Sequence, residues 1–94
     1  MMRESNIEKA LVGAVKIRGG MALKFVSPGM SGVPDRLVLI PGGAIAFVEV
    51  KATGAKMRPL QLKRKRQLEK IGFLVYQLDD IGMIGGILDE ICAT

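Results

Sequence analysis

Histidine and tryptophan are absent from this chain, and cysteine occurs once, at Cys92. Without histidine there is no histidine-ligated zinc site, no serine or cysteine nucleophile primed by an imidazole, and no histidine general base. A single cysteine excludes an internal disulfide and fits a reducing compartment. Long apolar runs are also missing. The longest uncharged stretch, Leu37 to Val48, is broken by Pro41-Gly42-Gly43 well short of a membrane span, so no membrane association is expected. The opening Met-Met-Arg-Glu-Ser-Asn-Ile-Glu carries two acids where a signal peptide has its apolar core, and a cytoplasmic location is expected. Carboxylates, lysine and a metal ion are the catalytic means that remain.

The 94 residues are expected to form one domain, 1–94, and 49% hydrophobic with 24% charged residues is an ordinary globular composition. Net charge is +5, unevenly spread. Of 14 Lys/Arg and 9 Asp/Glu, residues 51–70 hold eight bases and only Glu69, giving +7 there and −2 over the rest. A basic patch of that kind suits a polyanionic partner.

Ser5-Asn6-Ile7-Glu8 has the form of a capping box, and Ile7, Leu11, Ala14 and Val15 recur at helical spacing, which predicts a helix over 6–18 ended by Gly19-Gly20. Residues 21–26 read as a strand and 27–32, rich in Pro, Gly and Ser, as a loop. The runs 36–40 and 44–51 read as a hairpin. Its register matters because side chains alternate faces. With a three-residue loop at 41–43, Ile40 pairs with Ala44 and Asp35 falls opposite Glu49; a two-residue loop would send Asp35 to the other face. Pro59 opens a helix to about Ile71, closed by Gly72. Residues 74–78 form a strand, and Asp79-Asp80 cap a last helix with apolar positions Ile81, Ile84, Leu88 and Ile91. Its glycines, Gly82, Gly85 and Gly86, read as weak points or as marks of a close contact, within the domain or across a dimer.

Asp35, Glu49 and Lys51 thereby meet on adjoining strands. Two carboxylates about 4 Å apart repel by about 4 kcal/mol at an effective dielectric of about 20, so their clustering calls for a cation or a shared proton. Mg2+ or Mn2+ would meet Asp35, Glu49 and the main-chain carbonyl of Val50, with Lys51 placed to orient or deprotonate a water and to offset charge on a pentavalent phosphorus. The alternative is a Pro-Asp turn beside an exposed Glu49–Lys51 pair, but these charges finish the apolar run 45–48, where burial is expected. Tyr76 reads as a core residue of its strand rather than a nucleophile.

Gly32-Val33-Pro34-Asp35-Arg36, the Pro41-Gly42-Gly43 turn, Phe47-Val48-Glu49-Val50-Lys51 and Pro59-Leu60-Gln61 together resemble the VRR-NUC branch of the PD-(D/E)xK nucleases, over residues 8–79. The resemblance implies an α/β fold: helix, three antiparallel strands, helix, strand and a C-terminal helix, the mixed sheet flanked by helices. It also implies a metal-dependent endodeoxyribonuclease of the stand-alone phage or bacterial type, similar to dimeric Holliday-junction resolvases and working on branched DNA inside a bacterial or phage-infected cell. A DNA-binding module of the same fold, inactive alone or active only with a helicase or replication protein, is the alternative. Family positions carry over to Asp35, Glu49 and Lys51 as catalytic residues, to Glu8 as catalytic and a further metal ligand, with Glu4 as its alternative, and to Gln61 as a positioning group. Glu8 also fits the capping box, and Gln61 also fits a first-turn glutamine serving backbone amides. Lys56, Arg58, Lys63 and Arg66 are the candidate DNA contacts, although part of this basic segment is expected to be a solvated face. With three Phe and one Tyr, recognition should run through backbone shape and charge.

Overall fold

The computed structural model describes residues 1–94. Its order is α1 (Glu4–Ile17), β1 (Met21–Lys24), β2 (Arg36–Ile40), β3 (Ala44–Val50), α2 (Pro59–Lys70), β4 (Leu74–Leu78), a 3-10 turn (Ile81–Met83) and α3 (Ile84–Cys92). The strands lie side by side as β1-β2-β3-β4. The first two pairings are antiparallel because no crossover is needed, and β4 returns parallel to β3 because α2 makes the crossover. This is the mixed sheet flanked by helices that the sequence leads one to expect. No helix is long and apolar enough to cross a membrane.

The hairpin register carries the site. Ile40 pairs with Ala44 and Arg36 with Val48, across a loop closed by the Gly43 N–H donating to Ile40 O at 3.2 Å. Gly42 and Gly43 sit at φ 95° and 88°, where a side chain would be strained. Extending that register by one step puts Asp35 opposite Glu49, as the three-residue loop requires.

Period two then divides the sheet into two faces. On one, Ala22, Val38, Ala46, Val48, Val50 and Leu78 meet the helices α1 and α3 in the main core. Ile7, Leu11 and Val15 of α1 are fully buried there, and each contributes about 1.5–3 kcal/mol. The other face carries Met21, Leu23, Leu37, Leu39, Ile45, Phe47, Glu49 and Val75, and α2 packs over its β4 end. All three phenylalanines join here: Phe47 lies 5.4 Å from Phe25 and 5.7 Å from Phe73, between ring centroids. The three rings form one cluster, with Phe73 at its exposed edge.

Three local expectations are corrected. The first helix starts at Glu4 with extended Arg3 as its N-cap, and Ser5 lies inside the first turn, so the capping box of Ser5 and Glu8 does not form. β1 ends at Lys24, leaving Val26 outside the strand and exposed. In the last segment Asp80 does cap, accepting from the Gly82 N–H at 2.9 Å, but the turn at 81–83 is 3-10 and shifts the helical phase. Ile81 is therefore exposed and Ile87 takes a core position with Ile84, Leu88 and Ile91. Gly85 and Gly86 are exposed, with nothing within 4 Å of an added Cβ, so they mark no close contact inside the domain.

Candidate active site

Glu49, the penultimate residue of β3, lies on the face beneath α2 and is only 2% exposed. Its Oε2 accepts from Gln61 Nε2 at 2.8 Å and pairs with Lys51 Nζ at 3.4 Å, while its Oε1 is buried without any partner. Burial, and then the neighbouring Asp35 charge, push the Glu49 carboxyl up from 4.5 to about 7; Lys51 pulls the other way without overcoming them. A buried carboxylate oxygen with no donor is a costly arrangement for a protein that only needs to fold.

Asp35 precedes β2 and is held from two sides. Its Oδ2 accepts from the Val50 N–H at 2.9 Å, and its carbonyl accepts from the Phe25 N–H at 2.8 Å. Because the N–H and C=O of one residue in an extended strand point to the same edge, the Val50 carbonyl faces the Asp35 side. Asp35, Glu49 and the Val50 carbonyl thus form a set of hard oxygen donors. That set fits Mg2+ or Mn2+, which take one or two carboxylates and complete their shell with water and phosphate. The orphaned Glu49 Oε1 and the mutual repulsion of the two carboxylates are what such an ion would relieve.

Gln61 is held at both ends of its amide. While Nε2 holds Glu49, its Oε1 accepts from the Arg58 N–H at 2.8 Å, closing the start of α2 as the glutamine half of a capping box. The reciprocal half is absent, since a guanidinium has nothing to accept with. One side chain therefore fixes helix and carboxylate together, and it is buried, 7% exposed.

Glu8 is not brought into this cluster. It rides on α1, which covers the opposite face of the sheet, and its Oε2 takes Arg36 Nε at 2.8 Å. Arg36 also donates to Ala22 O at 3.0 Å. The residue after Asp35 alternates to the α1 face, so the motif's arginine and aspartate part company there. No three of the chain's Asp, Glu and Cys side chains converge as a metal-holding group. Glu4, its alternative, is exposed in the first turn of α1.

Lys56, Arg58, Lys63 and Arg66 are exposed and none has a carboxylate partner. Lys65 is tied to Glu69 at 2.7 Å, and Arg64, half-buried, is turned to the loop, its Nε donating to Ser31 O at 2.8 Å. Sequence reasoning missed Arg36 and Arg64 as structural ties. Face alternation signals the first; no local pattern signals the second. Tyr76 packs against the core as expected, its hydroxyl buried near Glu90 and pushed up to about 12, mainly by burial and further by that carboxylate.

No protein-family model matches the chain. A solved chain described as "VRR_NUC domain" superposes with a TM-score of 0.86 at 29% identity, covering 95% of this chain and 97% of that one. "Putative nuclease p44" of Acyrthosiphon pisum secondary endosymbiont phage 1 is 53% identical over 79 residues, which span 84% of this chain and 85% of the relative.

Proposed function

The chain belongs to the VRR-NUC family of nucleases, and we propose that within it this protein is a Mg2+- or Mn2+-dependent endodeoxyribonuclease whose centre is Asp35, Glu49, Lys51 and Gln61. The observation that carries the proposal is the buried, partnerless Glu49 Oε1 beside a second carboxylate, a lysine and a glutamine. Asp35, Glu49 and the Val50 carbonyl would hold the ion. When bound, a divalent ion polarises the phosphoryl oxygen and neutralises developing charge. Lys51 stands beside Glu49, where an ammonium can orient the attacking water and offset charge as the new P–O bond forms and the bond to the leaving sugar oxygen breaks. Gln61 keeps Glu49 Oε2 occupied, which leaves Oε1 as the oxygen free to turn to the metal. Glu8 stays with Arg36 and outside the chemistry.

The grip on DNA falls to Lys56, Arg58, Lys63 and Arg66, exposed before and along α2, the helix that supplies Gln61 to the centre. Such contacts read the phosphate backbone and not base sequence. We further propose a branched, Holliday-type substrate and a homodimer. One chain holds one centre, so two symmetric cuts need two chains related by a dyad. A sheet face left bare by α2, with Met21 58% and Leu23 42% exposed beside Leu37, Leu39 and Ile45, supports pairing of two copies.

The test is cleavage of labelled four-way junction, flap, nicked and plain duplex DNA in Mg2+ and in Mn2+, with sedimentation of the same protein. Paired symmetric nicks in the junction and a dimer are expected. Binding without cleavage in either ion would favour the partner-dependent module instead, and a monomer on junction DNA would remove the dyad.

A further inference from the structure

We propose that Arg64 is a positioning residue for this centre, a clasp that docks the loop carrying Asp35 onto the helix that holds Glu49. The proposal rests on the nuclease reading for its kinetic consequence, but the clasp itself is a matter of geometry. Arg64 lies in the most basic run of the chain, Lys63-Arg64-Lys65-Arg66, where a phosphate contact is the default expectation. Its guanidinium is instead occupied within the protein. Nε donates to Ser31 O at 2.8 Å and Nη1 to Gln67 Oε1 at 2.9 Å, so the planar fork is fixed in direction from within its own helix.

The loop it holds runs from Phe25 to Asp35; its ends are anchored by the Phe25 ring on Phe47, the buried Pro34 and the Asp35–Val50 bond, but its middle, residues 27–31, has few other ties. Met30 N–H returns to Ser27 O at 3.1 Å inside the loop, and the Phe25–Asp35 bond closes its base. The Arg64–Ser31 bond is the sole hydrogen bond between the loop and α2. Beside it the apolar seam is incompletely filled. A cavity of about 250 Å³ lies between Met30 and Val33 of the loop and Arg64, Gln67, Leu68 and Ile71. The seam there is open to solvent, with Met30 46% and Ile71 70% exposed, so apolar packing adds little and the polar tie bears more of the docking. One further contact sets the height of the loop over the helix. Gly32, at φ +82°, lies so close to Leu60 that a Cβ there would sit 2.6 Å from Leu60 Cγ.

Three residues after Gly32 the chain reaches Asp35, whose carboxylate must meet the Val50 N–H and face Glu49. The first turns of α2 thereby set both carboxylates. Gln61 fixes Glu49 directly, and Arg64, one turn further along, fixes Asp35 through Ser31 and the loop. Losing the clasp should loosen Asp35 without touching the groups that bind DNA.

The experiment uses the full chain as wild type, Arg64→Ala, Arg64→Lys and, as the phosphate-contact comparison, Lys63→Ala. Cleavage is followed over a range of DNA and salt concentrations, and amide hydrogen exchange is followed in the absence of DNA. For Arg64→Ala we expect loop amides at 26–34 to exchange about tenfold faster with those of β3 unchanged. We expect kcat to fall about tenfold, with KM and the salt dependence kept, since small misplacements of a catalytic group are costly in rate. Arg64→Lys should resemble Arg64→Ala, because an ammonium keeps the charge and loses the fork. Lys63→Ala should instead raise KM and lower the salt slope by about one. The proposal is overturned if Arg64→Ala behaves like Lys63→Ala, or if loop exchange is the same as in the wild type. Exchange is read whether or not the protein cuts DNA, so failure of the nuclease reading would appear as an inactive wild type and failure of the clasp as an unchanged loop.

Discussion

Replacing Glu49 by glutamine should make the apo protein more stable at pH 8 while removing its activity. The carboxyl is 2% exposed and held at about 7 against its ordinary 4.5, chiefly by burial and by Asp35. That displacement corresponds to about 3 kcal/mol of destabilisation when the group is ionised. Water reaching the rim of the cluster brings the expected effect to about 1–3 kcal/mol. The sign follows from proton uptake. Above about 7 the group is ionised in the folded and the unfolded chain, and the whole penalty is present; below it the folded chain binds a proton first, and the penalty fades as pH approaches 4.5. Glutamine is neutral at every pH, nearly isosteric, and can still accept from Gln61 Nε2; only Lys51 loses its partner. Thermal unfolding in chelator should show Glu49→Gln raising Tm by about 4–15 °C at pH 8 and by much less at pH 5. Mg2+ should then favour the wild type by mass action. A variant less stable than wild type at pH 8, or a gain equal at both pH values, would refute the reasoning.

Gln61→Ala strips the donor from Glu49 Oε2 and the acceptor from the Arg58 N–H; it should cost about 1–3 kcal/mol in urea unfolding and move the pH–rate midpoint upward, because an ionised Glu49 loses a hydrogen bond. At sub-saturating Mg2+ the cleavage rate of the wild type should rise with pH through about 7, since proton and metal compete for Glu49, and excess metal should shift that rise to lower pH. Glu8→Ala breaks the pair with Arg36 on the far face; it should lower Tm yet leave the cleavage rate of the folded protein within about threefold, whereas Glu49→Ala should remove about two orders of magnitude or more. Gly86→Ala, in the open on α3, should add about 0.5–1 kcal/mol to stability; destabilisation, read by denaturant unfolding, would mean that this helix face is covered in an assembly.

Much of the site is legible in the sequence because it depends on short-range rules. Pro41-Gly42-Gly43 fixes a three-residue loop, the loop fixes the register, and the register puts Asp35 opposite Glu49 on the face of Lys51. Pro59 and Gly72 bound α2 closely enough to place Gln61 in its first turn. What escapes is set by partners distant in sequence or by choices that periodicity leaves open. Ile7, Leu11 and Val15 form the same buried stripe whether α1 begins at Glu4 or two residues later, so the stripe could not decide between a capping Glu8 and a free one. Glu8 is settled by Arg36, 28 residues away. Ile87 displaces Ile81 from the core because a 3-10 turn resets the phase, and a propensity-weak stretch with Gly82, Gly85 and Gly86 gives no warning of it. Arg64 looks like its basic neighbours in sequence and differs from them only because a loop some 30 residues earlier folds back to meet it.

The mechanism turns on Asp35, Glu49 and Lys51 acting as a metal-dependent phosphodiesterase centre, as proposed. It is tested most directly by the initial rate of junction cleavage for wild type, Asp35→Asn and Lys51→Ala, in Mg2+ and in EDTA, with DNA binding measured on the same samples. Cleavage is expected to need the ion and to fall about a hundredfold or more in both variants while binding persists. Cleavage that survives EDTA, or an Asp35→Asn variant that cuts at the wild-type rate, would contradict it.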